Sequence, residues 1–459
     1  MTDFNTDELA GAVRGGIVKP GDESYDQARA VWNGRFDRRP AAIIRCHDAD
    51  DVKAGIDFAH RRGLRLAVRA GGHSNAGHSA IDGGLLVDLS LMKGVEVDPE
   101  SKTARVQPGV KWGEFNPVAE EHGLATPGGT VSTVGVAGFT LGGGGGYLTR
   151  KYGMAVDNLL SVEVVTADGR FVRASSEENP DLFWAIRGGG GNFGVVTSFE
   201  FRLHEVGPEV LAGQIMHRLD DTPNLLRSFR EFMRNAPDEL QVYPFFLRIP
   251  PIDAFPEEFH GQVVLDFVVF HEDAGPAGEA ALRPLLELGD PIMTAVGPQS
   301  YSSVMGAFDE GLPAGQRYGS RAHYLDGISD DVIDTIMAHM PGMAGPLTVA
   351  YLDVLGGAPS RVDPSATAFP HRDARYAFHI MPGWTDHDDD EQVMAWANAL
   401  HDAMGHHATG GVYVNLLGPD EEDRIRAAYG TNYDRLVEVK KKWDPENLFR
   451  GNYNINPSG

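Results

Sequence analysis

Between residues 36 and 206 the apolar positions fall in short runs that Gly, Pro and Asp interrupt. Residues 41–46 (AAIIRC) are one such run and predict a strand. In the DADDVKAGIDFAHRRG that follows, the period changes to that of a helix, with Asp48 or Asp51 as N-cap and Gly63 as C-cap. LRLAVRA predicts the next strand. A glycine-rich stretch, VRAGGHSNAGHSAIDGG (residues 68–84), follows directly on this strand–helix–strand unit. GLLVDLS, GVEVDP and TARVQPG are three further β-rich pieces, and KWGEFNPVAEEHG reads as a helix ending at Gly123. A second glycine-rich region, GGTVSTVGVAGFTLGGGGGYLTRKYG, precedes LLSVEVVTADGRFVRAS, a hairpin turning at Asp168 and Gly169. NPDLFWAIRG predicts a short helix and GVVTSFEFRLH a strand.

From Pro208 the pattern changes. EVLAGQIMHRL, LQVYPFFLRIP and GQVVLDFVVFH are longer strands, and amphipathic helices such as TPNLLRSFREFMRNA and DDEQVMAWANALHDAM alternate with them. This predicts an antiparallel sheet backed by helices, a second α+β unit. The last stretch, YDRLVEVKKKWDPENLFRGNYNINP, reads as a helix, a Pro-led turn and an extended polar tail.

Length and composition narrow the class. A chain of 459 residues exceeds one ordinary core, so two or three domains are expected. With 42% hydrophobic and 23% charged residues it is globular. The net charge of −25 repels phosphate backbones and anionic lipid, which argues against nucleic-acid and membrane partners. Such an acid-rich, Lys-poor surface suits a high-salt cytoplasm or plain solubility. Cys46 is the single cysteine, so no disulfide forms within the chain. The N-terminus lacks the apolar core of a secretory signal, and no apolar run is long enough to span a bilayer. A cytoplasmic protein, monomeric or homodimeric, is expected.

The glycine runs carry the candidate chemistry. Residues 189–194 match G-x-G-x-x-G, but here a helix precedes the glycines and a strand follows, the reverse of a dinucleotide fold. Ser74 resembles a hydrolase nucleophile, yet Ala76 stands where that motif needs glycine and the sequence after it is loop-forming. His73 and His78 lack metal-ligand spacing, as do His401, His406 and His407, so no metal site is assigned. The remaining reading of residues 69–74 is a nest of backbone amides around an anion. Residues 142–146 and 188–191 can bring two more backbones to the same extended ligand, which points to a large cofactor.

VRAGGHS, GLLVDLS, TVGVAGFTLGGGGGYLTRKYG, DNLLSVEVVTADG, LFWAIRGGGGNFGVVTSFEF and KKKWDPENLFRGNYNINP, in this order, resemble flavoproteins of the vanillyl-alcohol oxidase and p-cresol methylhydroxylase (PCMH) fold. Within that fold they resemble the berberine-bridge-enzyme-like branch, and in length, texture and tail the bacterial 6-hydroxy-D-nicotine oxidase type. The resemblance implies a PCMH-type FAD-binding domain over residues 1–207 (core 36–206). It further implies an inserted antiparallel-sheet substrate domain over 208–410, and a segment 411–459 that returns to the FAD domain. It implies FAD held by Arg69, Ala70, Gly71, Gly72, His73, Ser74 and Ser79. Gly128, Thr133, Val134, Gly135, Gly138, Gly143 and Gly144 of the second region, Gly194 and Val196, and Asn452 and Asn454 of the tail complete the set. The family's flavin-linking histidine maps to His73, and His78 is expected to be a bystander. Val131 stands where many relatives carry a second, cysteinyl link, so a single covalent link at His73 is expected. Gly145 stands where some relatives carry a tyrosine, with Tyr147 two residues on.

The implied chemistry is hydride transfer from a small alcohol or amine to the flavin, with O2 as oxidant. A base takes the substrate proton. Alternation in RYAFHIM puts Tyr376, Phe378 and Ile380 on one face and Arg375, Ala377, His379 and Met381 on the other. By the resemblance His379 faces the flavin, and Tyr413, expected on a strand in GVYVNLLG, is the second catalytic candidate, with Leu416 replacing a polar or aromatic residue. The alternatives are a flavin dehydrogenase with another acceptor, a non-catalytic flavin-binding protein and a serine hydrolase.

Overall fold

A computed structural model describes residues 6–253 and 255–459. The first strand–helix–strand unit forms as the pattern predicts. Helix Ala49–Arg62 is capped by Asp48, whose side chain accepts from the Asp51 amide, and by Gly63 in the left-handed region at φ 60°. Asp51 is instead a buried acceptor for the amides of Arg14, Gly15 and His47. The helix returns the chain so that Ala42–Arg45, Leu85–Asp88 and Leu66–Arg69 pair in parallel, with Ile17–Val18 antiparallel at one edge. Their buried faces are almost wholly aliphatic, as suits a parallel sheet covered on both sides.

An antiparallel sheet of five strands follows, ordered Val95–Asp98, Thr103–Val106, Val195–Arg202, Leu159–Val165 and Phe171–Ser175. Asp168 and Gly169 make the turn of its outer hairpin, Gly169 at φ 74°.

The later residues build one antiparallel sheet of seven strands. Its order is Met293–Gln299, Val210–Arg218, Val263–His271, Leu240–Arg248, Val349–Val354, Tyr376–Met381 and Arg321–Leu325. Strand alternation divides its side chains cleanly. Leu265, Phe267, Val269, Leu352, Phe378 and Ile380 join one core with the helices Thr222–Met233, Asp330–His339 and Asp390–Gly405. The opposite face, including Tyr243, Phe245, Val268 and Phe270, packs in a core shared with the first half of the chain.

The tail crosses back. Helix Tyr433–Trp443 carries Lys440, whose ammonium is fully buried against Asp444 (2.7 Å) and also donates to the carbonyls of Asn192 and Phe449. This ties the tail to the loop around Gly190–Asn192. Residues 411–418 differ from the expected strand: after Tyr413 the chain turns into a short 3-10 helix, Val414–Leu416. Among the described residues no helix is long and apolar enough to cross a membrane.

Candidate active site

A cavity of about 940 Å³ lies between the seven-stranded sheet and the glycine loops. That volume is at the upper end of the range for small-molecule and cofactor sites, roughly 300–1,000 Å³. One wall is backbone-rich. Ala70, Gly71, Gly72, His73, Ser74, Ser79, Val134, Gly135, Gly138, Gly194, Val196 and Asn452 all line it. The loop can lie this close because two glycines meet: a Cβ on Gly71 would sit 2.5 Å from Gly135 Cα, and one on Gly135 would sit 2.7 Å from Gly71 Cα. The Ser74 hydroxyl accepts from the His78 amide (3.1 Å) and closes the turn beyond His73.

His73 itself is stacked on the indole of Trp32, centroids 4.6 Å apart at 19°. Burial, aided by the Lys111 charge and opposed by the Thr133 backbone, brings its imidazole down to about 3, so it is neutral at physiological pH. His78 also lines the cavity, edge-on to Tyr453 of the tail at 4.5 Å, and burial lowers it to about 4. His78 is therefore a wall residue of the cavity.

Six expected cofactor residues stand behind this wall. Arg69 spends its guanidinium on Asp88 (2.8 Å) and the carbonyls of Ala28 and Ala30. Gly128 underlies Trp112, and its carbonyl oxygen lies 2.0 Å from where a Gly146 Cβ would be. Gly143 packs against Met154 and Phe369, and the Gly144 amide donates to Tyr413 Oη. Thr133 and Asn454 lie behind it too, their Oγ1 and Oδ1 atoms buried without partners. The second glycine-rich region therefore meets the cavity through Val134, Gly135 and Gly138, and less through its run of five glycines. Of residues 142–146 only Gly145 lines the cavity, and the others admit neighbouring chain. Tyr147 points into the core, against Phe270 and Tyr243.

The opposite wall comes from the sheet. Register sets Tyr351 beside His379 and Asp353 beside Ala377, and alternation turns all four toward the cavity, with Val349 and Met381. Tyr351 stacks on His379 (4.5 Å) and on Phe245 (4.5 Å), which stacks on Phe308, making an aromatic surface. His379 is buried with both ring nitrogens unpartnered, and its Nε2 is 3.9 Å from Asp353 Oδ2. Gln241 holds the other carboxylate oxygen from behind (3.1 Å).

Tyr413 reaches the cavity from the returning segment. Its Oη accepts from the Gly144 amide (2.9 Å) and from Asn415 Nδ2 (3.0 Å). Burial pushes the phenol up to about 12, and these two donors pull the other way. Asn415 also donates to the Phe139 carbonyl, and its own carbonyl accepts from Asn75, so it links the tail to both glycine loops. Trp32, Tyr351, Asp353 and Asn415 were not singled out from the sequence. For Tyr351 and Asp353 the signal was present, as alternation in VAYLDV.

These features suit FAD. The backbone cradle has open space over Gly138, where a Cβ would meet no protein atom within 4 Å and would project into the cavity. The Asn452 Oδ1 atom on the wall is buried without a partner, as an extended polar ligand would correct. Among the described residues no three His, Cys, Asp or Glu side chains gather within reach of one metal ion.

Residues 40–175 match a family described as FAD binding domain, and residues 412–456 match one described as berberine and berberine like. The chain is 31% identical to (R)-6-hydroxynicotine oxidase of Paenarthrobacter nicotinovorans, with 98% of each protein covered. It is 30% identical to the xylooligosaccharide oxidase of Thermothelomyces thermophilus, covering 91% of this chain and 87% of that protein. Its fold superimposes on the crystal structure of 6-hydroxy-D-nicotine oxidase from Arthrobacter nicotinovorans with a TM-score of 0.87 at 30% identity, over 97% of this chain and 98% of that one. The glycine loop of residues 68–84 falls inside the first matched segment and residues 412–456 of the returning tail make up the second, and the relatives extend through the sheet between them. The chain belongs to the berberine-bridge-enzyme-like family of FAD-linked oxidoreductases.

Proposed function

We propose that this chain is an FAD-dependent oxidase that removes hydride from a carbon bearing an alcohol or amine in a small, partly aromatic substrate. The observation that carries this is the opposition, across one cavity, of the glycine-loop wall and the wall holding Tyr351, Asp353, His379 and Tyr413. Residues 1–207 and 411–459 would hold FAD and residues 208–410 the substrate. Bound there, FAD supplies the redox chemistry, accepting hydride and passing the electron pair to O2.

The protein's own part is orientation and proton handling. Phe245, Tyr351 and Phe308 offer ring faces to an apolar substrate body. Tyr413, its oxygen already accepting two N–H donors, keeps its O–H to hold the substrate's oxygen or nitrogen. His379, with no competing partner, offers a ring nitrogen to the departing proton, and Asp353 beside it balances the imidazolium charge. Val134, small and on the wall, leaves room for O2.

A single covalent link at His73 fits the same residues. The neutral imidazole lines the cavity, Val131 lines it with no thiol, and Cys46 is fully buried in a separate core where burial raises its pKa. Acid precipitation tests the link: yellow colour retained in the pellet, and lost in His73→Ala, is expected. Stopped-flow mixing of substrate-reduced protein with O2 tests the oxidase reading. Slow reoxidation beside fast reduction of a dye would establish a dehydrogenase instead.

A further inference from the structure

We propose that Trp32 is a positioning residue for covalent attachment at His73, and that the clasp carrying it makes attachment depend on docking of the two halves of the chain. The inference rests on the single histidyl link proposed above. Its starting point is a stack of three near-parallel rings. The Trp32 indole lies 4.6 Å from the His73 ring at 19°, and 4.1 Å from the Tyr318 ring at 12°. His73 comes from the glycine loop, Trp32 from the N-terminal segment and Tyr318 from the later half.

The segment that carries Trp32 is held at both ends of this stack. Its amide donates to the Gly72 carbonyl (3.2 Å), next to His73. Its carbonyl accepts from Gly315 (2.8 Å), and its indole N–H donates to Leu312 (3.3 Å). Asn33, wholly buried, closes a reciprocal pair with the Tyr318 backbone, donating to the carbonyl (2.9 Å) and accepting from the amide (3.0 Å). Gly34 donates to Gln316 (2.7 Å), and a Cβ at Gly34 would lie 2.1 Å from the Gly315 oxygen, so only glycine lets the two segments approach this closely. The clasp therefore exists only when residues 312–318 are docked.

Attachment joins a ring nitrogen of His73 to the flavin 8α carbon. One proton leaves each atom and two electrons pass to the flavin. O2, the oxidant of the proposed reaction, takes up both electrons and protons as hydrogen peroxide. The nucleophile is a neutral imidazole, and its reacting nitrogen must aim its lone pair, which lies in the ring plane, at the carbon. A misplacement of about 1 Å at such a step can cost on the order of 100-fold. The indole is the surface that fixes this plane.

The test follows attachment and not turnover. Full-length protein, purified after brief induction, is incubated in air with excess FAD. Covalent flavin is read as fluorescence of the denatured band, and total bound flavin from the absorbance of native protein. Trp32→Leu is expected to slow attachment at least tenfold with bound FAD retained, and Trp32→Phe, which keeps an aromatic face, to stay within about threefold of the parent. Asn33→Ala touches no ring but loosens the clasp, and it should slow attachment as well. Attachment at the parental rate in Trp32→Leu overturns the proposal, as does loss of FAD binding in both Trp32→Leu and Asn33→Ala. Flavin that leaves the unmutated protein on denaturation would instead remove the histidyl link on which the proposal stands.

Discussion

Gly138→Ala separates the needs of the polypeptide from those of its cofactor. Gly138 lies in the helix Val136–Leu141, lines the cavity and is exposed to it. A Cβ built there meets no protein atom within 4 Å. The methyl group therefore collides with nothing in the chain, and alanine gains about 1 kcal/mol over glycine in helix propensity. The open space is where the cofactor is proposed to run, so a methyl has to displace it. We expect FAD affinity to fall at least tenfold, about 1.4 kcal/mol, while the cofactor-free protein melts no lower than its parent. The measurement is made in a His73→Ala background so that FAD exchanges freely. Flavin fluorescence titration gives the affinity, and thermal unfolding without FAD gives the stability. Gly71→Ala is the contrasting variant. Its Cβ would lie 2.5 Å from Gly135 Cα and 2.6 Å from Gly135 N, and backbone cannot rotate away. It should lower stability by about 1–3 kcal/mol, the usual cost of overpacking, along with FAD binding. Parental FAD affinity in the Gly138→Ala protein would show that the cofactor does not pass over this helix.

Other outcomes can be checked in the same way. Tyr413→Phe leaves the Gly144 amide and one Asn415 donor without their acceptor. It should cut kcat roughly 100-fold in steady-state assays while flavin content is unchanged. Lys440→Met strands Asp444 in a fully buried site and should cost about 3–5 kcal/mol in denaturant unfolding, with early loss of FAD as the tail loosens. Asp266 is fully buried on the sheet, and burial raises its carboxyl to about 7. The folded state then binds the proton that the unfolded state releases near pH 4, so stability falls as pH rises from about 4 to 7, by up to about 4 kcal/mol. Asp266→Asn should flatten that part of the melting-temperature profile, and an unchanged slope would place the titration elsewhere.

Local patterns foretold much of this protein. The period-3.6 run with Asp48 and Gly63 at its ends was enough for the helix Ala49–Arg62, and alternation was enough to turn His379 away from Phe378 and Ile380. Both depend only on how a side chain leaves its own backbone. The glycine loop around His73 was legible for a related reason, since clustered glycines mark a backbone approached by something else.

What does the approaching is decided by tertiary structure alone. Gly71 admits Gly135 and lines a cavity, whereas Gly146 admits the Gly128 carbonyl and Gly142 admits the Asn415 side chain. These cases look alike in sequence. GVYVNLLG alternates like a strand, but a strand needs a neighbour for its backbone groups. Here the Tyr413 hydroxyl meets Gly144 and Asn415, the Ser320 hydroxyl takes the Leu416 carbonyl, and the chain turns instead. Asp353 beside His379, and Trp32 on His73, are meetings of distant segments. Sequence determined which face each element offers. Packing decided which faces meet, because burial rewards any apolar surface and only the assembled chain selects among the partners.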